Sequence, residues 1–435
     1  MKSNDWLHGF RHSSPYINAH RGRTVVLTLG GEAIAHDNLI NIIHDITLLS
    51  SLGVRLVVAF GARPQIQARL DEAGQPSSFH KGMRITPEEH LPCAMEAIGA
   101  LRSHLESRLS MGLVNSPMHG ARIRVSSGNY VAARPMGVLD GIDHGYTGRV
   151  RRVDVSGMEK LLEQGHIVLL PPMGYSPTGD AFNLSYEDVG SQVAAALKAE
   201  KLIMFTGHQG VVDEGGTLIR ELTVRQATDR LAVTEPGPDR DLLKAACDAC
   251  VKGVRRSHII SFTQDGALLE ELFTRDGSGT LVSDDNYEQI RGARVEDIGG
   301  IVELIQPLEE QGILVRRSRE LLETEIDCFI VAERDGTIVG CAALYAWPEE
   351  KAGELSCFAV DPAYRRAGRG DEIFAMVEEK ARAMGLTQLF VLTTQTEHWF
   401  RERGFHTSNV QALPGPKLAA YNTQRNSKVF VKPLA

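Results

Sequence analysis

The stretch that most restricts the fold of this chain is Arg365-Arg366-Ala367-Gly368-Arg369-Gly370. The apolar run Leu355-Ser356-Cys357-Phe358-Ala359-Val360 precedes it, and a helical run starts at Asp371. Strand, short glycine-rich turn and helix, in that order, aim backbone N–H groups at an anion. The glycines let the main chain come close, and the helix N-terminus adds positive dipole. Three arginines in these six residues suit a polyphosphate. A bare Gly-x-Gly says little; the flanking strand and helix make it specific.

At 435 residues the chain exceeds one hydrophobic core, and roughly two to four domains are expected. Apolar residues at 43% and charged residues at 23% are the proportions of an ordinary globular protein. A net charge of −8 gives no reason to expect nucleic acid as a partner. The first residues, Met1 to Trp6, lack the apolar core of a signal peptide, and no later stretch is long and apolar enough for a membrane span. The expectation is a cytoplasmic protein with no membrane partner. Six cysteines in this length are not a disulfide framework. Cys247 and Cys250 form a Cys-x-x-Cys within the helical run from Leu242, with no second pair. They read as buried small residues rather than zinc ligands. The fifteen histidines show no ligand spacing, so no metal is expected.

The first part of the chain reads as α/β. Val25 to Leu29 is a short apolar strand ending at Gly30-Gly31, and Leu39, Ile42, Ile43, Ile46 and Leu49 follow at helical spacing, with Gly53 placed to end that helix. Val54 to Ala59 is the next strand, which closes a βαβ unit. Further strands are expected at 167–170, 202–205 and 258–262, in a largely parallel sheet covered on both faces. Turn residues gather at Asp276 to Thr280 and Ser283 to Asp285, which mark a boundary. Beyond it come an amphipathic helix through Ile298, Ile301, Val302, Ile305 and Leu308, a hairpin about Asp335-Gly336, the anion loop with its helix, and a strand at 389–392.

Arg365, Gly368 and Gly370 resemble the pyrophosphate loop of the GNAT acetyltransferases, and the order of elements from about Tyr287 resembles a GNAT domain. The resemblance implies acetyl-CoA as co-substrate, held by Cys357, Phe358, Val360, Arg365, Arg366, Gly368, Arg369 and Gly370. Residues from about 20 to 285 resemble the amino-acid kinase fold, through Leu29-Gly30-Gly31, Phe60 to Gln65, Gly82-Met83-Arg84, Asn183 to Glu187 and Leu272 to Gly279. The kinase chemistry looks dismantled, because Thr28 and Leu242 stand where the family has lysines and Glu187 where it has an aspartate. Phosphoryl transfer is mostly electrostatic stabilisation of oxygen charge, and lysines supply it. A non-catalytic kinase-like domain followed by a GNAT domain resembles the bacterial N-acetylglutamate synthases. The implied organisation is an N-terminal helical segment 1–20, a kinase-like regulatory domain 21–283 of open, mainly parallel αβα type, and a GNAT α/β domain 287–435. By the same resemblance the protein is a homo-oligomer, hexameric in the family, that carries out the first step of arginine biosynthesis and is inhibited by arginine. The arginine site would use Tyr16, Glu271, Gly277 and Gly279. Glu271 reads either as the guanidinium's partner or as a surface helix residue.

Acetyl transfer to the α-amine of L-glutamate needs a neutral amine, a stabilised oxyanion and a proton for the leaving thiolate. Glu354, at the start of the strand that leads to the anion loop, is the base candidate in a Glu-Leu-x-Cys sequence; the alternative is a solvated strand-end glutamate. Many GNAT enzymes protonate the thiolate with a tyrosine four residues before Gly-Phe. Here that residue is Phe400, so Thr393 is the candidate donor, or else a strand cap. The oxyanion is expected at a main-chain N–H near Phe358, where the strand should splay. Two carboxylates on the acceptor call for arginines. Arg425 with Ser427 resembles one binding segment, and Arg316 or Arg317 the other, with Arg317 preferred. Two further readings stay open: a bifunctional enzyme that also phosphorylates acetylglutamate, and an amino-acid-sensing acetyltransferase of protein lysines.

Overall fold

The computed structural model describes residues 7, 9–11, 13–112, 116, 118–213, 215–274, 276–283, 288–334, 336–362, 369–394, 396–423 and 425–434. It divides into two compact units, Met1–Asp285 and Asn286–Ala435.

In the first unit, helix α1 (Ser14–His20) leads into strand β1 (Thr24–Leu29), helix α2 (Leu39–Ser51) and strand β2 (Arg55–Phe60). Gly53, with φ +86°, ends α2, as a glycine in the left-handed region does. Strands β3 (Arg124–Ser127), β4 (His166–Leu170), β5 (Lys201–Thr206), β6 (Glu221–Thr223), β7 (Arg256–Ser261) and β8 (Thr280–Ser283) complete an eight-stranded sheet in the order β6-β8-β7-β5-β1-β2-β4-β3. Its neighbours run parallel except β7 and β8, which are antiparallel. β1 is buried along nearly its whole length, as a strand covered on both faces must be. One face packs on α2, and the other on helices α3 (Tyr186–Ala196) and α4 (Pro238–Val251). The closing turn of the unit follows helix α5 (Ala267–Phe273). A second, four-stranded sheet between residues 131 and 183 leaves no clear mark in the apolar pattern.

The second unit opens with strand β9 (Glu288–Gly292) and helix α6 (Ile298–Glu310). Strands β10 (Phe329–Arg334), β11 (Thr337–Trp347) and β12 (Ala352–Val360) form an antiparallel meander. Helix α7 (Arg369–Ala383) then returns the chain to strand β13 (Gln388–Thr393), which lies parallel to β12. Short helices α8 (Glu397–Glu402) and α9 (Gly415–Ala419), with strands β14 (His406–Ser408) and β15 (Lys428–Pro433), finish the seven-stranded sheet in the order β9-β10-β11-β12-β13-β15-β14. α7 includes Arg369 and Gly370, ahead of the expected start at Asp371. Its buried stripe, Ile373, Phe374, Val377 and Ala381, covers one face of the sheet; α6 covers the other.

Two departures from regular pairing shape the second unit. β12 and β13 pair from Ala352/Gln388 to Leu355/Val391 and no further, although both strands continue. The register with β11 also slips between Cys341 and Ala343, so Cys357 and Phe358 both face Ala342. Cys357 adopts φ +49° there, which is uncommon for a side-chain-bearing residue. The strand thus opens away from β13 at the expected place.

Candidate functional site

The site of the second unit is built on β12, where alternate residues share a face. Glu354 and Ser356 therefore project together, one pleat repeat apart. Tyr345, directly across the β11–β12 ladder from Glu354, lies on the same face. Glu354 is buried, and its Oε1 lies 2.6 Å from Lys417 Nζ on α9. It is therefore not the solvated strand-end group of the alternative reading. The short segment that carries Lys417 reaches Glu354 because Leu413, Phe390, Val429 and Ala352 form a small core beside it.

The two candidate arginines converge on the loop after α6. Arg317 donates from Nη2 to Ser356 Oγ at 2.9 Å and from Nη1 to the Val315 carbonyl at 3.1 Å, and its main-chain N–H donates to Glu309 Oε1 at 3.0 Å. Burial works against its charge, but Cys357, Tyr345 and Glu325 more than offset that, and Arg317 sits above its ordinary pKa. Arg316 is exposed, so Arg317 is the one of the pair that reaches the Glu354 face of β12. Arg425 donates from Nη2 to the Ile313 carbonyl at 2.5 Å, on the same loop. Ser427 is buried just before β15, and its carbonyl accepts from Tyr421 Oη at 2.8 Å.

Other candidates fall elsewhere. Alternation along β13 places Thr393 with Val391, on the α7 face and across the sheet from Glu354. Its hydroxyl lies 2.8 Å from Thr396 Oγ1 and accepts from the Thr396 N–H at 3.1 Å. Phe400 is core, packed edge-on against Trp399 and Phe405. Cys357 is buried, the Phe358 ring lies 4.7 Å from that of Trp399 at a tilt of 40°, and Val360 ends β12. Arg369 and Gly370 form the first turn of α7, beside Trp399. Arg365, Arg366 and Gly368 lie outside the described residues.

In the first unit Glu271 is buried, which removes the surface-helix alternative. Its Oε1 accepts from His258 Nδ1 at 2.5 Å, and its Oε2 accepts from the N–H groups of Ser278 at 2.6 Å and Gly279 at 2.9 Å. Burial alone would raise this carboxyl; the bonds from His258, Ser278 and Gly279 override it and hold it down at about 2. The two glycines are steric requirements. A Cβ at Gly277 (φ +63°) would sit 2.7 Å from Glu271 Oε2, and one at Gly279 would sit 2.1 Å from the Ile259 carbonyl. His20, the last residue of α1, lies with Nε2 2.9 Å from the Leu272 carbonyl and sets its ring edge-on to Phe273. This docks the helix that bears half-buried Tyr16 onto the helix that bears Glu271.

The positions of the kinase lysines are packed shut. Thr28 is fully buried on β1, and a Cβ at Gly190 of α3 would lie 2.3 Å from its methyl. Leu242 is buried in α4. Glu187 pairs with Arg63 at 3.0 Å, and Arg63 also reaches Asp241 at 3.2 Å. Arg63, Glu187 and Asp241 line a cavity of about 340 Å³ with Arg84, Asn183 and Lys244. Cys247 and Cys250 are buried in α4, as expected. Among the described residues no helix is long and apolar enough to cross a membrane.

Comparison with known proteins matches residues 23–261 to the Amino acid kinase family and residues 300–406 to the Acetyltransferase (GNAT) family. An amino-acid acetyltransferase of Pseudomonas putida is 55% identical over 430 residues, covering 99% of this chain and all of the relative. One from Pseudomonas aeruginosa is 54% identical over the same length, with the same coverage. Among solved structures, N-acetylglutamate synthase from Neisseria gonorrhoeae with coenzyme A and L-arginine superposes with a TM-score of 0.90 at 37% identity, covering 98% of this chain and 99% of that one. The same protein with coenzyme A and N-acetyl-glutamate gives 0.64 at 38% identity, covering 99% of each.

Proposed function

The chain belongs to the amino-acid acetyltransferases, and from that premise we propose that it acetylates the α-amine of L-glutamate and is feedback-inhibited by L-arginine. The observation that carries this is the full-length likeness to a synthase whose complexes hold coenzyme A with arginine in one case and N-acetyl-glutamate in the other. The convergence of Arg317 and Arg425 on one loop beside the Glu354 face supports a small acceptor with two carboxylates.

In this reading Glu354 takes a proton from the acceptor ammonium. The free amine attacks the thioester carbonyl carbon and the new C–N bond forms; as the intermediate collapses the C–S bond breaks, coenzyme A leaves as a thiolate, and the nitrogen sheds its second proton to water. The oxyanion sits at the opened stretch of β12 near Phe358, where the ladder with β13 has ended. The thiolate takes up a proton relayed by water. Cys357, Phe358 and Val360 line the thioester arm, and the loop from Arg365 through Arg366 and Gly368 to Arg369 and Gly370 takes the pyrophosphate. Arg317, Arg425 and Ser427 hold the acceptor's carboxylates.

The regulatory half of the proposal places arginine at the turn formed by Glu271, Gly277 and Gly279, closed over by α1 through Tyr16. The docking of His20 on Leu272 supports it, since it ties α1 to the Glu271 helix. The protein is proposed to act in the cytoplasm as a homo-oligomer. Coenzyme A release from acetyl-CoA tests the reading: glutamate should support it, and arginine should suppress it. Release unaffected by arginine would remove the regulatory half.

A further inference from the structure

Lys417 is the ion-pair partner of Glu354 among the described residues, with Nζ 2.6 Å from Oε1. The two side chains are 29% and 8% exposed, so the carboxylate is largely shut off from water while the cation stays reachable. A carboxylate so placed is costly to leave unpaired, and a cation held against one of its oxygens also fixes its orientation. α9 supplies it from a turn-rich segment that otherwise contributes Val410, Leu413, Leu418 and Tyr421 to a minor core.

We propose that Lys417 is a positioning residue for the proton-accepting step. It clamps Oε1 of Glu354 and holds the group as an oriented carboxylate, which leaves Oε2 to take the proton of the acceptor ammonium. The proposal rests on the reading of Glu354 as the base. A lysine that merely pinned α9 to the sheet would affect melting temperature; one that works through Glu354 affects kcat, and only while Glu354 is present.

The test is a kinetic double-mutant cycle on the full chain with Lys417→Met, Glu354→Gln and the double variant, with Lys417→Arg as rescue. It uses whichever amine the parent acetylates fastest. Lys417→Met should lower kcat by about 10–100-fold, a share of the 10²–10⁴ that a general base contributes, with the acetyl-CoA KM changed by no more than a few-fold. Lys417→Arg should recover most of the loss, and adding Lys417→Met to Glu354→Gln should cost nothing further. Lys417→Gln replaces the methionine variant if the latter melts below the assay temperature. Fully additive losses, or a raised acceptor KM at parental kcat, would overturn the proposal by giving Lys417 an action of its own. A parent that acetylates amines other than glutamate would refute the acceptor reading alone. Parental kcat in Glu354→Gln would refute the base and this proposal together.

Discussion

Replacing Glu271 by glutamine removes the charge around which the turn at Gly277–Gly279 is built while keeping the side chain's size. The carboxyl is held from an ordinary 4.5 down to about 2 against the cost of burial. At about 1.36 kcal/mol for each tenfold change in proton affinity, that corresponds to about 3 kcal/mol of stability at pH 7. Because the folded-state value is depressed, the contribution is complete above pH 4.5 and is lost as pH falls toward 2. Glu271→Gln should therefore unfold in urea with about 3 kcal/mol less stability than the parent at pH 7, and the gap should shrink by more than half at pH 3. If the same carboxylate takes an arginine guanidinium, the arginine concentration for half-inhibition should also rise by about tenfold or more, in line with coupling of about 1–3 kcal/mol. Uninhibited turnover should survive. A gap below about 1 kcal/mol at pH 7, or one that stays the same at both pH values, would refute the account of a charge-centred turn.

Glu354→Gln should cut turnover by about 10²-fold or more while acetyl-CoA affinity holds, measured by steady-state kinetics and calorimetry; turnover within a few-fold of the parent from pH 6 to 9 would remove its role as base. Arg425→Ala should raise the glutamate KM by about 10–200-fold, the span of one charged hydrogen bond. An equal rise for acetyl-CoA would assign Arg425 to the fold, where it already bonds the Ile313 carbonyl.

The strands were legible because buried parallel strands are continuous apolar runs, and those at 25–29, 167–170 and 202–205 are buried almost throughout. Glu354 was legible because it heads such a run and leads into a glycine-rich turn. Lys417 was not, since nothing in a five-residue helix that opens on Pro414-Gly415-Pro416 signals that it touches a strand more than sixty positions earlier. Nor was the burial of Glu271: its helix is seven residues long, too short for periodicity to separate faces, and His258 lies inside what reads as a plain strand. Adjacent Arg316 and Arg317 are alike in composition and differ only in what the loop turns toward Ser356. The opening of β12 from β13 was expected from the chemistry; its local cause, the bulge at Cys357, depends on register, which a single strand does not display.

The most direct test of the central claim is acetyl transfer by the purified full chain, followed as thiol release from acetyl-CoA across a panel of free amino acids and a lysine-containing peptide, with product masses determined. Glutamate should be the preferred acceptor, giving a product heavier by one acetyl group, with other amino acids and the peptide far slower. Equal or faster transfer to the peptide lysine, or to amino acids without a side-chain carboxylate, would contradict the assignment of Arg317 and Arg425 to a dicarboxylate acceptor.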